Sequence, residues 1–224
     1  MQSKPKFLEP DEIKELAKRH LQGKFNVRDA ALIAFSGMSY LTLLDLSLIR
    51  VKDLLTESGK VYKQMVIPAE FNPNGKQKVL IIPNKPPLLE LTEGVIKWRN
   101  KEKLGLSNLG TYCGLNPESR FFLDNDGNEF SLTPRAKGNK EIARMQPTKL
   151  RRHFDKFVLP IGVTPQGLNR SFLLNFYSES IKDGKQSQTI QSLVKLTGLG
   201  VGTIRRQIYR EPRSIKDVLS DMYQ

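Results

Sequence analysis

Apolar residues recur every three or four positions over most of the chain, which is the spacing of one face of an α-helix. Stretches of this kind predict helices that begin near Pro10, Asn26 and Leu41, and a longer one over residues 88–103. Residues 61–67 and 78–82 are instead rich in β-branched and aromatic side chains and flank a turn-rich connection over 71–76. This pattern predicts an antiparallel hairpin between the third and fourth of these helices.

The C-terminal half returns to helical spacing after a second, smaller hairpin, predicted over residues 121–130 with its turn at Asp126-Gly127. Everything after it is predicted to be helical, over 147–159, 165–177, 188–196, 201–210 and 212–222. The expected fold class is therefore mainly α with a small antiparallel β-sheet (α+β). Because no repeat and no low-complexity linker interrupts the chain, we expect a single domain over residues 1–224, with a C-terminal tail helix over 212–224.

The net charge of the chain narrows the classes of function that the protein could have. The 224 residues contain 36 Lys and Arg against 23 Asp and Glu, a formal net charge of +13, and the cations are spread along the chain. This distribution indicates a folded basic surface of the kind that binds nucleic-acid phosphates. One cysteine, Cys113, and two histidines argue against a disulfide framework and a Cys- or His-built metal site, so no cofactor and no metal are expected. Without a membrane-spanning run or a signal region, we expect a cytoplasmic, nucleoid-associated protein.

Three segments resemble the catalytic domain of the tyrosine recombinase (phage integrase) family. Residues 28–46 resemble the segment that usually ends T-G-L-R-x-x-E-L-x-x-L, residues 162–172 (GVTPQGLNRSF) resemble G-I-T-P-H-x-L-R-H-S-F, and residues 195–209 (KLTGLGVGTIRRQIY) resemble K-L-L-G-H-S-S-I-x-T-T-x-x-Y with one extra residue. The segments stand in the family's order and spacing. The resemblance implies the family's helical fold and a site that acts on DNA.

In the family, a tyrosine hydroxyl attacks the scissile phosphate, two arginines and a histidine stabilise its charge, and a hairpin lysine protonates the leaving oxygen. The resemblance assigns Tyr209 to the nucleophile. The positions of the first arginine, the histidine, the second arginine and a later His or Trp are degenerate, held by Ser39, Gln166, Asn169 and Leu199. Neutral side chains cannot replace a guanidinium at a developing phosphorane. We therefore expect a protein of this family that binds DNA, linked to integration and recombination, without cleaving it.

Two further positions depend on the register. The hairpin lysine of the family falls near Asn72, and Lys76 and Lys78 lie close enough in sequence to substitute for it. Residues 147–154 also imitate the box that we align with 162–172, and that alternative register would retain Arg151 as the arginine. It places the box too far before Tyr209 for the family, so we prefer the register that contains Gln166 and Asn169.

The expected partner is double-stranded DNA, bound together with further copies of this chain or with another recombinase, and no membrane is expected. Met1 leads almost directly into the first predicted helix, so we expect no core-binding domain before the catalytic one. The candidate DNA-binding residues are all basic: Lys76, Lys78, Lys149, Arg151, Arg152, Arg170, Arg205 and Arg206.

Two alternatives remain open. Residues 188–208 also fit a helix-turn-helix transcriptional regulator, with Thr203, Arg205 and Arg206 directed at base edges. The other alternative is a site-specific recombinase that still uses Tyr209 as nucleophile. Against the latter, Tyr209 is also spaced to form one apolar stripe with Ile204 and Ile208, which would make it a packing residue.

Overall fold

The computed structural model describes residues 8–22, 27–67, 78–82, 86–135, 144–158, 163–181 and 186–209. In this part of the chain nine α-helices and four short strands follow one another. The helices are α1 (Pro10–Gln22), α2 (Val27–Met38), α3 (Leu43–Leu48), α4 (Val51–Leu54), α5 (Pro86–Lys101), α6 (Thr148–Val158), α7 (Pro165–Ser180), α8 (Gln186–Thr197) and α9 (Val201–Ile208). The strands are β1 (Gln64–Ile67), β2 (Lys78–Ile81), β3 (Thr133–Arg135) and β4 (Arg144–Gln146). The mainly helical fold class is confirmed.

Helix α2 is the centre of the molecule. Every residue from 28 to 38 is buried, and α1, α5 and α7 all pack against the helix. A helix that is covered on all sides carries apolar or small residues around its whole circumference, as the segment ALIAFSGM does. Gly37 lies against the side chain of Ile13 from α1, where a larger residue would meet that side chain, and the helix continues to Met38.

The first predicted hairpin is confirmed. Strands β1 and β2 pair antiparallel, with Val66 opposite Val79. Met65 and Ile67 enter the core while Gln64 and Val66 face outward, which is the alternation of a sheet with one covered face.

The second predicted hairpin, over 121–130, is confirmed at its turn, but its flanking strands do not form. Its residues form one isolated bridge, between Leu123 and Glu129, around a turn in which Gly127 adopts a left-handed φ of 79°. Phe121, Phe122 and Leu123 are all buried in succession, and a strand with one solvated face cannot bury three neighbours in a row. The segment is a loop anchored in the core by aromatic side chains.

The expectation that everything after residue 130 is helical is also wrong. Strands β3 and β4 form a second antiparallel pair, with Pro134 opposite Met145. Thr133, Pro134 and Met145 are all exposed, so burial leaves no alternating pattern in the sequence. The predicted tail helix over 212–222 lies outside the described residues.

Two hydrophobic clusters hold the described helices together. The larger one joins α2 to α5 and α6, whereas the smaller one lies among α7, α8 and α9 and contains Leu173, Leu193 and Ile204. Helix α7 begins where the sequence predicts, since the side chain of Thr164 caps it by accepting from the Gly167 amide, and Pro165 follows. The C-terminal helices thus form a compact trio beside the main core.

One buried arginine orders the loop after α5. The Arg99 guanidinium is fully buried and donates to four backbone carbonyls and one hydroxyl, those of Leu104, Gly105, Arg120, Phe121 and Ser119. Burial without a carboxylate partner among these groups lowers the pKa of Arg99 to about 10. The side chain still provides the donors that these loop carbonyls would otherwise lack.

Candidate functional site

A cleft of about 740 Å³ opens between α3, α6, α7 and the turn that joins α8 to α9; we call it the α6–α7 cleft. Its lining brings together three of the degenerate positions, Gln166, Asn169 and Leu199, with the basic residues Arg151 and Arg152. The two alternative sequence boxes, over 147–154 and 162–172, therefore both contribute to one site, from α6 and α7.

The side chain of Asn169 forms its hydrogen bonds with the backbone. Its Nδ2 atom donates to the carbonyl oxygens of Ser36 and Leu41, at 3.1 and 3.0 Å. These two carbonyls lie at the end of α2 and just before α3. The side chain at the family's second arginine position thus holds the connection between these helices in place.

Ser39, at the family's first arginine position, is similarly engaged. It is 2% exposed, and its hydroxyl donates to the carbonyl of Phe35 over 2.6 Å, one helical turn earlier. Ser39 is not among the residues that line the α6–α7 cleft. Gln166, by contrast, is exposed in the first turn of α7.

The cations of the cleft come from α6. Leu150, Phe154 and Val158 bury one face of this helix, and Arg151 and Arg152 are exposed on the other. The Nε atom of Arg151 lies 3.6 Å from Oδ2 of Asp155, one turn further along. The arrangement offers two guanidinium groups to an anion, with one carboxylate beside them.

Tyr209 lies apart from these residues. It follows the last residue of α9, is 52% exposed, and its hydroxyl lies 2.8 Å from that of Tyr177. The two rings meet edge to face, with centroids 6.1 Å apart. Tyr177 is eight residues beyond Asn169 on α7, about 12 Å along the axis at ~1.5 Å per residue. The hydroxyl of Tyr209, the candidate nucleophile, is therefore hydrogen-bonded to Tyr177, and Tyr209 does not line the α6–α7 cleft.

A different tyrosine, which the sequence did not single out, does line the cleft. Tyr40 has a left-handed φ of 55° and is largely buried. Burial, and after it the charge of Asp45, raises the pKa of the Tyr40 hydroxyl. A raised pKa disfavours the phenolate form, which is the more nucleophilic one.

Several predicted DNA-binding residues have partners within the protein. Lys149 donates to Asp124 over 2.7 Å, and Arg170 donates through Nε to the carbonyl of Gln207, tying α7 to α9. Lys78 is the first residue of β2, while Lys76, like Asn72, lies outside the described residues.

Arg205 and Arg206 are exposed on α9. The Nε atom of Arg206 donates to the carbonyl of Gly202 on its own helix, at 3.3 Å. The exposed basic residues of the described chain thus include one pair on α6 and one pair on α9.

A buried polar network fixes α6 from behind. Arg28 and Asp29, both on α2 and almost fully buried, form an ion pair of 2.9 Å. The Nε2 atom of His153 on α6 lies 2.7 Å from Oδ1 of Asp29, and Arg28 also donates to the carbonyl of Leu123 and the side chain of Asn125. Charged groups buried at this depth require such complete pairing, which makes the position of α6 specific.

Neither a metal nor a membrane is indicated by the residues that the structure describes. Among them, no group of three or more His, Cys, Asp or Glu side chains is arranged to hold a metal ion. No helix in the same ranges is long and apolar enough to cross a bilayer.

The fold of the chain is similar to that of several solved structures. No protein-family model and no curated protein sequence matches the chain. Solved structures do: the crystal structure of XerA recombinase is similar with a TM-score of 0.58 at 13% identity, over 99% of this chain and 67% of that one. The Tn1549 transposon integrase in complex with circular intermediate DNA gives a TM-score of 0.54 at 13% identity, over 99% and 66%.

The XerH site-specific recombinase bound to palindromic difH substrate is also similar, with a TM-score of 0.53 at 14% identity, over 98% of this chain and 53% of that one. The chain thus spans about two thirds of the length of the first two structures and half of the third. At these identities the likeness concerns architecture. The chain has the fold of a tyrosine recombinase catalytic domain.

Proposed function

We propose that this protein is a member of the tyrosine recombinase (phage integrase) family that acts in DNA recombination or integration by binding double-stranded DNA, without cleaving it. One observation carries the proposal. The α6–α7 cleft combines two exposed arginines with neutral side chains at the family's arginine and histidine positions, and it does not contain Tyr209. The site is equipped to hold a phosphate, and the candidate nucleophile Tyr209 lies apart from it.

Binding to DNA is supported by charge. A net charge of +13 gives a long-range field that attracts polyanions, and guanidinium groups such as those of Arg151 and Arg152 match phosphate oxygens in geometry. Two of the similar solved structures, the Tn1549 integrase and XerH, are complexes with DNA. We infer the same class of partner for this chain, bound by several copies of it or together with another recombinase.

Loss of cleavage is supported by the hydrogen bonds of Ser39 and Asn169. Both side chains are committed to backbone carbonyls, so neither contributes charge or a free donor to a phosphate in the cleft. Removing one member of a catalytic unit already costs most of the rate enhancement. With two such positions neutral, the tyrosine has no activated phosphate to attack.

The proposal is tested by the salt dependence of DNA binding. Six phosphate contacts would give a log–log slope of affinity against salt near −5, from ~0.9 per contact. Random duplex DNA suffices as the probe, because phosphate contacts are independent of sequence. The double variant Arg151→Ala/Arg152→Ala should reduce the slope by about 2.

The matched control is Lys97→Ala/Lys101→Ala, which removes the same charge from exposed positions of α5, a helix that does not line the cleft. Its slope should stay close to that of the unchanged protein. No binding at low salt, or a slope near zero, contradicts the proposed function.

A second candidate function is favoured by the geometry of α8 and α9. A three-residue turn, 198–200, joins them, and Gly198 enters it with a left-handed φ of 68°. Arg205 and Arg206 are exposed on α9, so a helix-turn-helix regulator that reads bases with this helix is the alternative. Binding-site selection distinguishes the two: Arg205→Ala would relax specificity at one base pair in a reader but weaken all sequences uniformly in a phosphate binder.

A further inference from the structure

The pair of strands β3 and β4, which we call the β3–β4 ribbon, is exposed on both of its faces. Thr133 and Pro134 follow one another in β3, so their side chains point to opposite faces of the strand, and both residues are exposed. Met145, which pairs with Pro134, is 48% exposed. A two-stranded ribbon without a covered face is at best marginally stable in water. Burial in the core therefore does not account for the residues of this ribbon.

The register of the β3–β4 ribbon brings two positively charged residues together. Arg135 pairs with Arg144, and residues directly opposite each other share one face of an antiparallel pair of strands. Like charges in this arrangement destabilise the pairing. An anion bound on this face would offset the repulsion. The register thus favours a negatively charged partner.

The face of the ribbon that carries this arginine pair leads into the α6–α7 cleft. Gln146 lines the cleft, and Arg144 precedes it by two residues, which places both on the same face about 7 Å apart along β4. The exposed residues Arg151 and Arg152 line the same cleft. One pair of cations therefore stands in the cleft and another on the ribbon beside it. A polyanion with regularly spaced charges can contact both pairs, whereas a single phosphate can contact only one.

We propose that the β3–β4 ribbon is an arm that contacts the phosphate backbone of double-stranded DNA beside the stretch held at the α6–α7 cleft. Arg135 and Arg144 supply the charge for these contacts. The inference rests on the proposed function and extends it to an element that neither the charge pattern nor the family resemblance singled out. Phosphate contacts carry no sequence information, so the arm adds affinity and orientation but no preference among bases.

The salt dependence of binding to random duplex DNA tests the arm. In Arg135→Ala/Arg144→Ala, the log–log slope of affinity against salt should become shallower by about 2, since each lost phosphate contact removes ~0.9. The matched control is again Lys97→Ala/Lys101→Ala, which removes the same charge from exposed positions of α5 and should keep the parent slope. A ribbon variant with the parent slope overturns the inference.

Arg144→Glu separates DNA binding from stability. The substitution turns a like-charge pair into an opposite-charge pair, so the ribbon should be at least as stable as before. DNA binding should nevertheless weaken, with a slope shallower by about 1 or more. Urea unfolding measures the first effect and fluorescence anisotropy the second, and Arg144→Lys, which keeps the charge, should retain the parent slope. Weaker binding that occurs only together with lower stability would mean that the ribbon has a structural role instead.

Crosslinking tests where the DNA lies. Thr133 is exposed and pairs with Gln146, so it stands on the face of the arginine pair. Thr133→Cys in a Cys113→Ser background allows a photoreactive group to be attached there. Cys113, the one native cysteine, is exposed and does not line the cleft, so the parent labelled at Cys113 is the control. We expect several-fold more crosslinking to random duplex DNA from position 133 than from position 113.

The outcomes separate the inference from the proposed function. A shallower slope in Arg135→Ala/Arg144→Ala, with crosslinking from position 133, supports the arm. A parent-like slope with equal crosslinking from both positions overturns the arm and leaves the proposed function standing. A parent oligomer that dissociates in the ribbon variant, with the slope unchanged, also overturns the arm and assigns the ribbon to a protein partner. Failure of the parent to bind any duplex contradicts the proposed function itself.

Discussion

At the scale of single residues, Asn169, which the resemblance aligns with the family's second arginine, has a structural role. Its amide donates to two carbonyls, those of Ser36 and Leu41, at the connection between α2 and α3. An arginine at the same position would have to abandon these acceptors in order to reach a phosphate. Reintroducing the family's residue would thus disturb the scaffold rather than repair the site.

We predict that Asn169→Arg lowers the free energy of unfolding by about 1–3 kcal/mol, the usual cost of leaving buried acceptors without donors. Urea unfolding of the variant and of the unchanged protein measures the difference. Gln166→Arg is the control because Gln166 is exposed on the same helix, and it should be close to neutral. An Asn169→Arg variant that is as stable as the parent would show that these hydrogen bonds contribute little.

We expect the hydrogen bond between the hydroxyls of Tyr177 and Tyr209 to stabilise the packing of α7 against α9. In a double-mutant cycle with Tyr177→Phe and Tyr209→Phe, we predict a coupling free energy of about 0.5–1.5 kcal/mol, typical of one hydrogen bond between neutral groups. Thermal or urea unfolding of the four proteins provides the values. Additive effects of the two substitutions would mean that the hydroxyls do not interact.

At the scale of secondary-structure elements, the position of α6 decides what the cleft can bind, and its first turn is held by an ion pair. Lys149 donates to Asp124, which also accepts from the backbone amides of Asp126 and Asn128. Burial raises the pKa of Asp124, but the hydrogen bond from Lys149 and the two amides outweigh it, so the net pKa of this carboxyl is lowered. The charged form is thus favoured in the folded state.

A group whose pKa is lower in the folded state stabilises the protein above its unfolded pKa and loses that effect as the pH falls through the folded value. The ordinary pKa of Asp is about 3.9. We therefore predict that the parent is more stable than Asp124→Asn at pH 7 and that the difference shrinks as the pH falls toward 3. Unfolding measured at several pH values tests this. A difference that is constant with pH would assign the effect to shape rather than charge.

The helices α5, α7 and α8 could be predicted from the sequence because each has one buried face, and burial on one face produces periodicity. The exposed pair β3 and β4 could not, since none of Thr133, Pro134 and Met145 is buried. In the loop over 121–130, a Gly turn between apolar runs imitates a hairpin. Its aromatic residues belong to the core, so their burial reflects tertiary packing and not strand geometry.

The candidate site, like the fold, could be predicted from the sequence only in part. Gln166, Asn169 and Leu199 could be assigned from the resemblance, and they do line one cleft. The separation of Tyr209 from that cleft could not be foreseen, because it depends on a contact with Tyr177.

At the scale of the whole molecule, the fold of a tyrosine recombinase catalytic domain is combined here with a site that we propose to be neutralised. The chain has a net charge of +13 and the architecture of a tyrosine recombinase catalytic domain, but its cleft draws its arginines from α6. The central claim is that such a molecule binds DNA and leaves the phosphodiester intact.

A suicide substrate tests this claim most directly. The duplex is nicked next to the cleavage position, so that attack by a tyrosine releases a short strand and traps the protein on the DNA through a phosphotyrosine bond. Denaturing gels detect the adduct, and Tyr209→Phe, which lacks the attacking hydroxyl, is the control. We predict salt-dependent binding by both proteins and an adduct with neither. An adduct formed by the parent and lost in Tyr209→Phe would contradict the account.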